Sequence, residues 1–313
     1  MMDQNNGIKR REFLKRSTKV AAATVFVGLG GSKLFGAYHA IQAKTTTPTV
    51  TLNNGITMPM LGFGTNTLHG TDCVQYVSEA ISVGYRLIDT AHIYGNEESV
   101  GEGIRQSGVD SAELFITSKL WVDDSGYEST KKAFETSLAK LGLEYMDLYL
   151  IHRPRGDVKG SWKAMEELYR EGKIKAIGLS NFEPAQIDEL LEYATVRPTI
   201  NQIENHVFFQ QHEAHAFLKQ ADIQMQGWSP FAAGRNRIFE NPVLAGIGNK
   251  HGKSIAQVCL RWHYQRGIIA IPRSSQKKHM MENIDIFDFA LDNADMQTIA
   301  TLDLNTTQFP EWD

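Results

Sequence analysis

Short β-prone runs alternate with amphipathic helical segments through most of this chain, and this alternation restricts its possible folds more than any other feature. We predict eight buried strands, at residues 61–65, 86–90, 114–118, 146–151, 174–179, 199–204, 223–228 and 268–271. Eight strands alternating with helices over about 250 residues favour an α/β fold of the (β/α)8 TIM-barrel type. The alternative is an open doubly wound sheet, but Gly62-Phe63-Gly64 lacks the third glycine of its usual phosphate-binding turn.

The segments between the strands have the period of helices with one apolar face. Two of them repeat apolar residues at i, i+3, i+4 and i+7, namely Ile187, Leu190, Leu191 and Ala194, and then Ile255, Val258, Cys259 and Trp262. Glycines that favour a left-handed C-cap follow several segments, at Gly84, Gly108, Gly142 and Gly172. Before the first strand, residues 49–52 and 56–59 flank an Asn-Gly turn, which predicts an N-terminal β-hairpin cap.

The first 43 residues do not share this pattern. Arg10-Arg11 precedes Phe13-Leu14-Lys15 and a short apolar run at residues 20–29, which resembles a twin-arginine export signal. We therefore expect residues 1–43 to be a signal peptide with the start of a linker, and residues 44–313 to be the barrel. This implies a periplasmic protein without stable membrane insertion after cleavage, because the apolar run is too short to span a bilayer. The alternative is a disordered basic tail followed by an amphipathic helix, with the protein in the cytoplasm.

Composition and spacing exclude several other classes of function. The net charge of −4 and the lack of a basic stripe argue against nucleic-acid binding. The two cysteines, Cys73 and Cys259, lie in apolar helical patterns, so we expect buried thiols rather than a disulfide. His212 and His215 are spaced i, i+3 instead of the i, i+4 of a zinc-protease helix, so no metal site is predicted.

Four chemically active side chains follow three consecutive predicted strands. Asp89 and Tyr94 follow the second strand, Lys119 ends the third, and His152 follows the fourth. The carboxyl ends of barrel strands meet at one face, where barrel enzymes have their active sites. The four side chains are therefore expected to form a single site.

The chemistry of this set fits the reduction of a carbonyl group. An ammonium group favours the phenolate and lowers the pKa of a nearby tyrosine, so Lys119 would prepare Tyr94 for proton transfer near neutral pH. Asp89 would keep Lys119 charged, and His152 would donate a hydrogen bond to the carbonyl oxygen. Taken singly, Asp89 and Lys119 also fit a structural ion pair, Tyr94 a rim aromatic residue, and His152 a core histidine. The convergence of all four on one rim favours catalysis in which a cofactor supplies hydride.

The chain resembles the aldo-keto reductase superfamily, in particular its single-domain bacterial branch similar to 2,5-diketogluconate reductases. The matching motifs are Gly62-Phe63-Gly64-Thr65, Ile88-Asp89-Thr90-Ala91, Tyr94-Gly95-Asn96-Glu97, Ser118-Lys119-Leu120-Trp121, Leu150-Ile151-His152, Ile177-Gly178-Leu179-Ser180-Asn181-Phe182 and Ile271-Pro272-Arg273-Ser274. The resemblance extends from about Thr49 to Leu304 and does not include the first 43 residues.

The resemblance assigns roles to residues around the barrel rim. Asp89, Tyr94, Lys119 and His152 correspond to the catalytic tetrad, with Tyr94 as the general acid. Residues implied to bind the nicotinamide and pyrophosphate of the cofactor are Ser180, Asn181, Gln202, Trp228, Ser229 and Phe231. Those implied to bind its adenosine end are Arg273, Ser274, His279, Glu282 and Asn283.

The adenosine end departs from the family pattern at two positions. Arg273 replaces the usual lysine, and His279 replaces an arginine that grips the 2′-phosphate. Arginine still binds phosphate through two parallel hydrogen bonds, whereas histidine is only partly charged near neutral pH. NADPH is the implied cofactor, with NADH or dual use left open.

The expected substrates are small aldehydes and ketones, such as dicarbonyls and keto-sugars, which are reduced to alcohols. The residues predicted to line the substrate pocket above Tyr94 and His152 are Phe63, Trp121, Phe231 and Trp312. The loop at residues 153–161 is short and only nine residues follow Leu304, which predicts an open pocket. The resemblance implies a monomer, since family members are often monomers. The alternatives are a non-catalytic nicotinamide-binding redox sensor and a barrel isomerase or aldolase that uses Lys119 as a Schiff-base amine.

Overall fold

Eight parallel strands form the centre of the structure, a computed structural model that describes residues 47–312. An antiparallel hairpin of β1 (Thr49–Thr51) and β2 (Thr57–Pro59) comes first. The barrel strands are β3 (Phe63–Gly64), β4 (Leu87–Asp89), β5 (Phe115–Leu120), β6 (Met146–Ile151), β7 (Ile174–Ser180), β8 (Ile200–Glu204), β9 (Gln224–Trp228) and β10 (Ile269–Ala270). Each predicted strand overlaps one of them.

The strands pair in sequence order from β3 to β10, and the first and last strands also meet. Leu61 forms a parallel bridge with Ala270, and the Gly62 amide donates to the Ala270 carbonyl at 2.9 Å. These contacts close the sheet, which confirms the predicted (β/α)8 barrel over the open doubly wound alternative.

Ten α-helices occur in the described residues, most of them between barrel strands. They are α1 (Gly70–Val83), α2 (Glu97–Ser107), α3 (Tyr127–Leu141), α4 (Val158–Arg170), α5 (Pro184–Leu191), α6 (His212–Gln220), α7 (Pro242–His251), α8 (Ile255–Gln265), α9 (Lys277–Ile284) and α10 (Asn293–Ala300). Gly84, Gly108 and Gly142 end α1, α2 and α3 in the left-handed conformation, as predicted. The helical pattern predicted from Ile187 to Ala194 extends beyond the observed helix, because α5 ends at Leu191.

Strand alternation divides the core into an inner and an outer layer. Leu87, Leu148 and Ile200 pack inside the barrel together with Leu52 and Met58 of the hairpin segment, which therefore closes the N-terminal end of the barrel. The next residue on each strand faces the helices, as Ile88 and Tyr149 do. Apolar residues thus fill the barrel interior near the N-terminal ends of the strands. The polar residues of the candidate site lie near the carboxyl ends of the strands.

Other sequence predictions concern the thiols and the N-terminus. Cys73 and Cys259 are both buried free thiols, in agreement with the prediction. Within residues 47–312, no helix is long and apolar enough to cross a membrane. The predicted export signal at residues 1–43 lies outside the described residues.

Replacing Gly101 by alanine is expected to lower the free energy of unfolding by about 1–3 kcal/mol through overpacking. A Cβ atom at Gly101 would lie 2.4 Å from the Leu141 carbonyl oxygen, where α2 meets the end of α3. Gly246→Ala in α7 is the matched control, because its Cβ would meet no atom within 4 Å. We expect the control to gain about 0.5–1 kcal/mol. Urea denaturation measures both variants, and equal effects would contradict the packing argument.

Candidate active site

A cavity of about 970 Å³ opens at the carboxyl ends of the barrel strands. This volume is at the upper end of the range for small-molecule pockets. The predicted site residues that line it are Asp89, Tyr94, Trp121, His152, Asn181, Gln202, Trp228, Ser229, Phe231, Arg273 and Trp312. The structure therefore brings together eleven predicted residues from distant segments of the sequence.

A buried ion pair between Lys119 and Asp89 forms the base of the cavity. Lys119 Nζ donates to Asp89 Oδ1 at 2.6 Å and to the Thr90 carbonyl at 2.8 Å. The other Asp89 oxygen accepts a hydrogen bond from Gln202 Nε2 at 2.7 Å. Burial raises the pKa of Asp89, although Lys119 and Gln202 oppose this effect. Burial lowers the pKa of Lys119, but Asp89 and Tyr94 outweigh it and raise that pKa overall, so the amine stays protonated.

Tyr94 lies directly above this ion pair. It ends the 3-10 turn His92–Tyr94, which follows β4, and its hydroxyl accepts from Lys119 Nζ at 3.5 Å. Burial raises the pKa of Tyr94, and the charges of Lys119 and Arg153 offset only part of the increase. The sequence-based prediction of a lowered Tyr94 pKa is therefore wrong, because the effect of burial exceeds that of the Lys119 ammonium. At neutral pH Tyr94 is a neutral phenol and can donate a proton.

His152 lies beside Tyr94 and is neutral. Its ring centroid is 5.8 Å from that of Tyr94 and 5.3 Å from that of Trp121. Burial lowers the pKa of His152 well below its usual value, and the positive charges of Lys119 and Arg153 lower it further. Its Nδ1 atom is buried without a hydrogen-bond partner among the described residues. A neutral imidazole can donate one hydrogen bond to a substrate oxygen, but it is a poor source of a proton.

These pKa shifts predict the pH dependence of carbonyl reduction. A proton donor loses activity as pH rises through its pKa, and the pKa of Tyr94 is raised above the usual value of about 10. We expect kcat/KM to stay level between about pH 6 and about pH 8, because the donor keeps its proton there. A tenfold fall per pH unit across this range would assign the proton to a group with a much lower pKa, such as a protonated His152.

Asn181 lines the cavity and has an unusual backbone conformation. Its φ of 62° is in the left-handed region. Trp228 Nε1 donates to Asn181 Oδ1 at 2.8 Å, and Asn181 Nδ2 donates to the His152 carbonyl at 3.0 Å and to Ser180 Oγ at 3.0 Å. Ser180 is buried and does not line the cavity, and its hydroxyl donates to the Gln202 carbonyl at 2.9 Å.

Phe63 does not line the cavity, so its prediction as a substrate-pocket residue is wrong. Its side chain is 1 % exposed and packs edge to face against Tyr85, with ring centroids 5.8 Å apart. Because side chains alternate along a strand, Gly62 and Gly64 face the barrel interior while Phe63 faces the helices. Trp121 and Phe231 do line the cavity, as predicted.

The residues predicted for the adenosine end of the cofactor divide into two groups. Arg273 is exposed and lines the cavity. Ser274, His279, Glu282 and Asn283 lie outside its lining, on or just before α9. Their part in cofactor binding remains a prediction.

The C-terminal tail covers one side of the cavity, and Trp312 lines the cavity as predicted, although the contacts that hold the tail there were not predicted. Phe309 stacks on Trp312 with ring centroids 4.7 Å apart, and Trp312 lies 5.4 Å from Trp228. Glu204 at the end of β8 holds the tail by accepting a hydrogen bond from the Gln308 amide at 2.8 Å. The cavity is therefore less open than the short tail suggested. Two aromatic residues among the last five are the sequence signal for this packing.

The fold and the site define the class of protein as a parallel barrel that holds a tyrosine hydroxyl above a buried lysine–carboxylate pair. A model of the Aldo/keto reductase family matches residues 60–304. The chain belongs to this family and is an oxidoreductase, which confirms the resemblance noted in its motifs.

Relatives with named activities cover most of the chain. It is 49 % identical over 256 residues to the glyoxal reductase of Bacillus subtilis, a match that covers 81 % of this chain and 92 % of the relative. It is 40 % identical over 270 residues to the methylglyoxal reductase DkgA of Escherichia coli, covering 85 % and 98 % of the two chains. The crystal structure of a Bombyx mori aldo-keto reductase in complex with NADP is 35 % identical, with a TM-score of 0.80 and coverage of 85 % and 97 %.

Proposed function

We propose that this protein uses NADPH to reduce small aldehydes and ketones to alcohols. The observation that carries the proposal is the Tyr94 hydroxyl, 3.5 Å from a buried ammonium that is itself 2.6 Å from a carboxylate. This arrangement supplies a proton and stabilises the phenolate that remains. Two of the relatives are named for the reduction of glyoxal and methylglyoxal, which supports small dicarbonyls as substrates.

The residues at the cavity fit a nicotinamide cofactor. Asn181 and Gln202 can offer their amide oxygens as acceptors to a carboxamide, because their N–H groups are already bonded within the protein. Trp228 presents an aromatic ring, and Arg273 supplies a cation for phosphate. These groups surround a cavity of about 970 Å³. NADPH, when bound, supplies the hydride for the carbonyl carbon. The solved relative in complex with NADP supports this choice over NADH.

The protein's own residues manage the proton and the carbonyl oxygen. Tyr94 gives its proton to the oxygen, and Lys119 stabilises the negative charge left on the phenol. Asp89 keeps Lys119 protonated and in place through their 2.6 Å contact. Neutral His152 donates a hydrogen bond that orients the carbonyl oxygen towards Tyr94.

The same geometry disfavours the two alternative functions. A Schiff-base amine must lose its proton to attack a carbonyl, whereas Asp89 and Tyr94 raise the pKa of Lys119. A redox-sensing module needs a cofactor site but has no need of a proton donor above a buried cation.

An absorbance assay of the full-length protein tests the proposed function. NADPH is mixed with methylglyoxal, an aromatic aldehyde or a keto-sugar, and its oxidation is followed with time. We expect a rate proportional to protein concentration with at least one of these carbonyls. Tight NADPH binding without turnover would favour the sensor, and a complete lack of binding and turnover would contradict the proposal.

Arg273→Gln is expected to raise KM for NADPH about tenfold while leaving KM for NADH nearly unchanged. The reason is the loss of a charge-assisted contact with the 2′-phosphate, which only NADPH carries. Steady-state kinetics with both cofactors measures the difference. Lys132→Gln, which removes an exposed cation from α3, is the control. Equal increases for both cofactors would show that Arg273 does not recognise the phosphate.

We further propose that residues 1–43 direct export to the periplasm, on the strength of the Arg10-Arg11 motif. Cell fractionation and sequencing of the mature N-terminus test this. Replacement of both arginines by lysine keeps the charge and should retain the protein in the cytoplasm. An uncleaved protein in the cytoplasmic fraction without any replacement would contradict export.

A further inference from the structure

Gln226 is a buried polar residue beside the cavity that has no part in the proposed proton transfer. It lies on β9 next to Gln202 of β8, because the two residues are paired in the parallel register of these strands. Gln202 lines the cavity, whereas Gln226 is fully buried and is not among the described residues that line it. Any effect of Gln226 on a bound molecule must therefore pass through another residue.

The side-chain amide of Gln202 is held by two acceptors in the barrel interior. Gln202 Nε2 donates to Asp89 Oδ2 at 2.7 Å and to Gln226 Oε1 at 3.0 Å. An ionised carboxylate can only accept, so the atom of Gln202 that faces Asp89 is its nitrogen. A primary amide has two N–H groups and one oxygen, and these two bonds occupy both N–H groups. The amide atom left for a molecule in the cavity is therefore Gln202 Oε1.

Packing does not explain an amide at position 226. Gln226 Nε2 is buried without a hydrogen-bond partner among residues 47–312. A buried N–H group without a partner is destabilising, because it has given up its hydrogen bonds with water. An apolar side chain would avoid this loss, and the inner layer already contains Ile200 and Ile269, the latter paired in register with Gln226. The bond to Gln202 is therefore the main reason for a polar residue here.

The second acceptor determines the orientation of the Gln202 amide. With Asp89 as the sole acceptor, the amide plane could rotate about a single hydrogen bond and could turn its second N–H group towards the cavity. The bond to Gln226 prevents this rotation, because the two acceptors come from different strands. A side chain that is fixed before a ligand arrives loses less conformational freedom on binding, which increases affinity.

We propose that Gln226 is a positioning residue for the nicotinamide, because its oxygen holds the Gln202 amide so that Gln202 Oε1 accepts a hydrogen bond from the carboxamide N–H group. The family resemblance implies the contact between Gln202 and the carboxamide, and the structure adds the residue that orients it. Trp228, two positions after Gln226 on the same face of β9, lines the cavity, so one strand supplies both an aromatic ring and the support for the amide. This inference rests on the proposed use of NADPH.

Binding of two related cofactors to the full-length protein tests the inference. NADP+ carries the carboxamide, whereas its 3-acetylpyridine analogue has a methyl group in place of the amide nitrogen and cannot donate. We expect the native protein to bind NADP+ about fivefold more tightly than the analogue in a fluorescence titration. Gln226→Met should remove most of this preference, because methionine has a similar length but only a weak acceptor. Gln226→Glu should retain it, since a carboxyl oxygen is still present to accept from Gln202.

Gln224→Met is the matched control. Gln224 lies on the same face of β9 but pairs with Ile200 and donates to the Met225 and Gly267 carbonyls, so its loss should leave the preference unchanged. All variants should bind 2′,5′-ADP, which lacks the nicotinamide, as tightly as the native protein does. With methylglyoxal as the substrate, Gln226→Met should raise KM for NADPH about fivefold and leave kcat nearly unchanged.

The outcomes separate failure of this inference from failure of the proposed function. A preference for NADP+ that is absent from the native protein, or that persists in Gln226→Met, would overturn the inference and leave carbonyl reduction intact. Equal weakening of NADP+, the analogue and 2′,5′-ADP would assign Gln226 a role in the fold alone and also overturn it. No binding of any cofactor to the native protein would contradict the proposed function and the inference together.

Hydrogen exchange of the native protein provides a test that needs no variant. Both side-chain amide protons of Gln202 should exchange slowly in the cofactor-free protein, because both are hydrogen-bonded in the barrel interior. Fast exchange of either proton would show that the amide is not fixed before the cofactor binds, and would overturn the inference even if Gln226→Met does not fold.

Discussion

Replacing Lys119 by methionine is expected to lower the free energy of unfolding by about 3–5 kcal/mol and to abolish carbonyl reduction. Both Lys119 and Asp89 are buried, and their 2.6 Å contact is the main compensation for two desolvated charges. Removal of the cation leaves Asp89 charged and unpaired in the barrel interior, which is strongly destabilising. It also removes the charge that stabilises the phenolate of Tyr94. Urea denaturation and the NADPH assay measure the two effects.

The double variant Asp89→Asn with Lys119→Met separates stability from catalysis. It removes both charges and keeps an oxygen at position 89 that accepts from Gln202, so most of the lost stability should return. Activity should stay undetectable, because the ammonium is still missing. An active double variant would show that Lys119 serves only the fold. A single variant as stable as the native protein would contradict the buried ion pair.

Tyr94→Phe is expected to reduce kcat for carbonyl reduction by about 100- to 10,000-fold, the usual contribution of general acid catalysis. Stability should change by less than about 0.5 kcal/mol, because within residues 47–312 the hydroxyl makes a single long hydrogen bond, at 3.5 Å to Lys119. The affinity for NADPH, measured by fluorescence titration, should stay the same.

A matched tyrosine variant controls for nonspecific effects of the replacement. Tyr76→Phe removes a hydroxyl from α1, outside the cavity lining, and should leave the rate unchanged. A Tyr94→Phe variant with normal turnover would contradict the role assigned to Tyr94. A variant that no longer binds NADPH would instead place its hydroxyl in cofactor binding.

The barrel and the core of its site were predictable from the sequence for topological reasons. Buried strands occur in the sequence as short apolar runs bounded by glycine and polar residues. Each of the eight predicted strands overlaps an observed strand. Residues that follow adjacent parallel strands must meet at one rim. That rule alone placed Asp89, Tyr94, Lys119 and His152 together.

The orientation of Phe63 was not predictable because its strand is too short to show a pattern. The strand β3 has two residues, and Phe63 is flanked by glycines. Without alternating polar and apolar neighbours, the sequence does not show which face of the strand is buried in the barrel. Only the pairing of Phe63 with Ile88 in the folded sheet assigns it to the outer layer.

The pKa of Tyr94 and the position of the tail depend on the folded structure. The balance between desolvation and the charge of Lys119 is set by depth and distance, neither of which is encoded locally. The contact of Trp312 with Trp228 joins segments more than eighty positions apart. The prediction that Trp312 lines the pocket is confirmed, but the sequence does not show that its ring contacts Trp228 and Phe309.

Transfer of an isotopic label from the cofactor to the product is the decisive test of carbonyl reduction by this protein. The full-length protein is incubated with methylglyoxal and NADPH that carries deuterium at C4 of the nicotinamide, in both positions, and the product is examined by mass spectrometry and NMR. We expect an alcohol with one deuterium on the carbinol carbon, formed in equal amount to the NADPH consumed. An alcohol without deuterium, or no alcohol at all, would contradict hydride transfer from the cofactor.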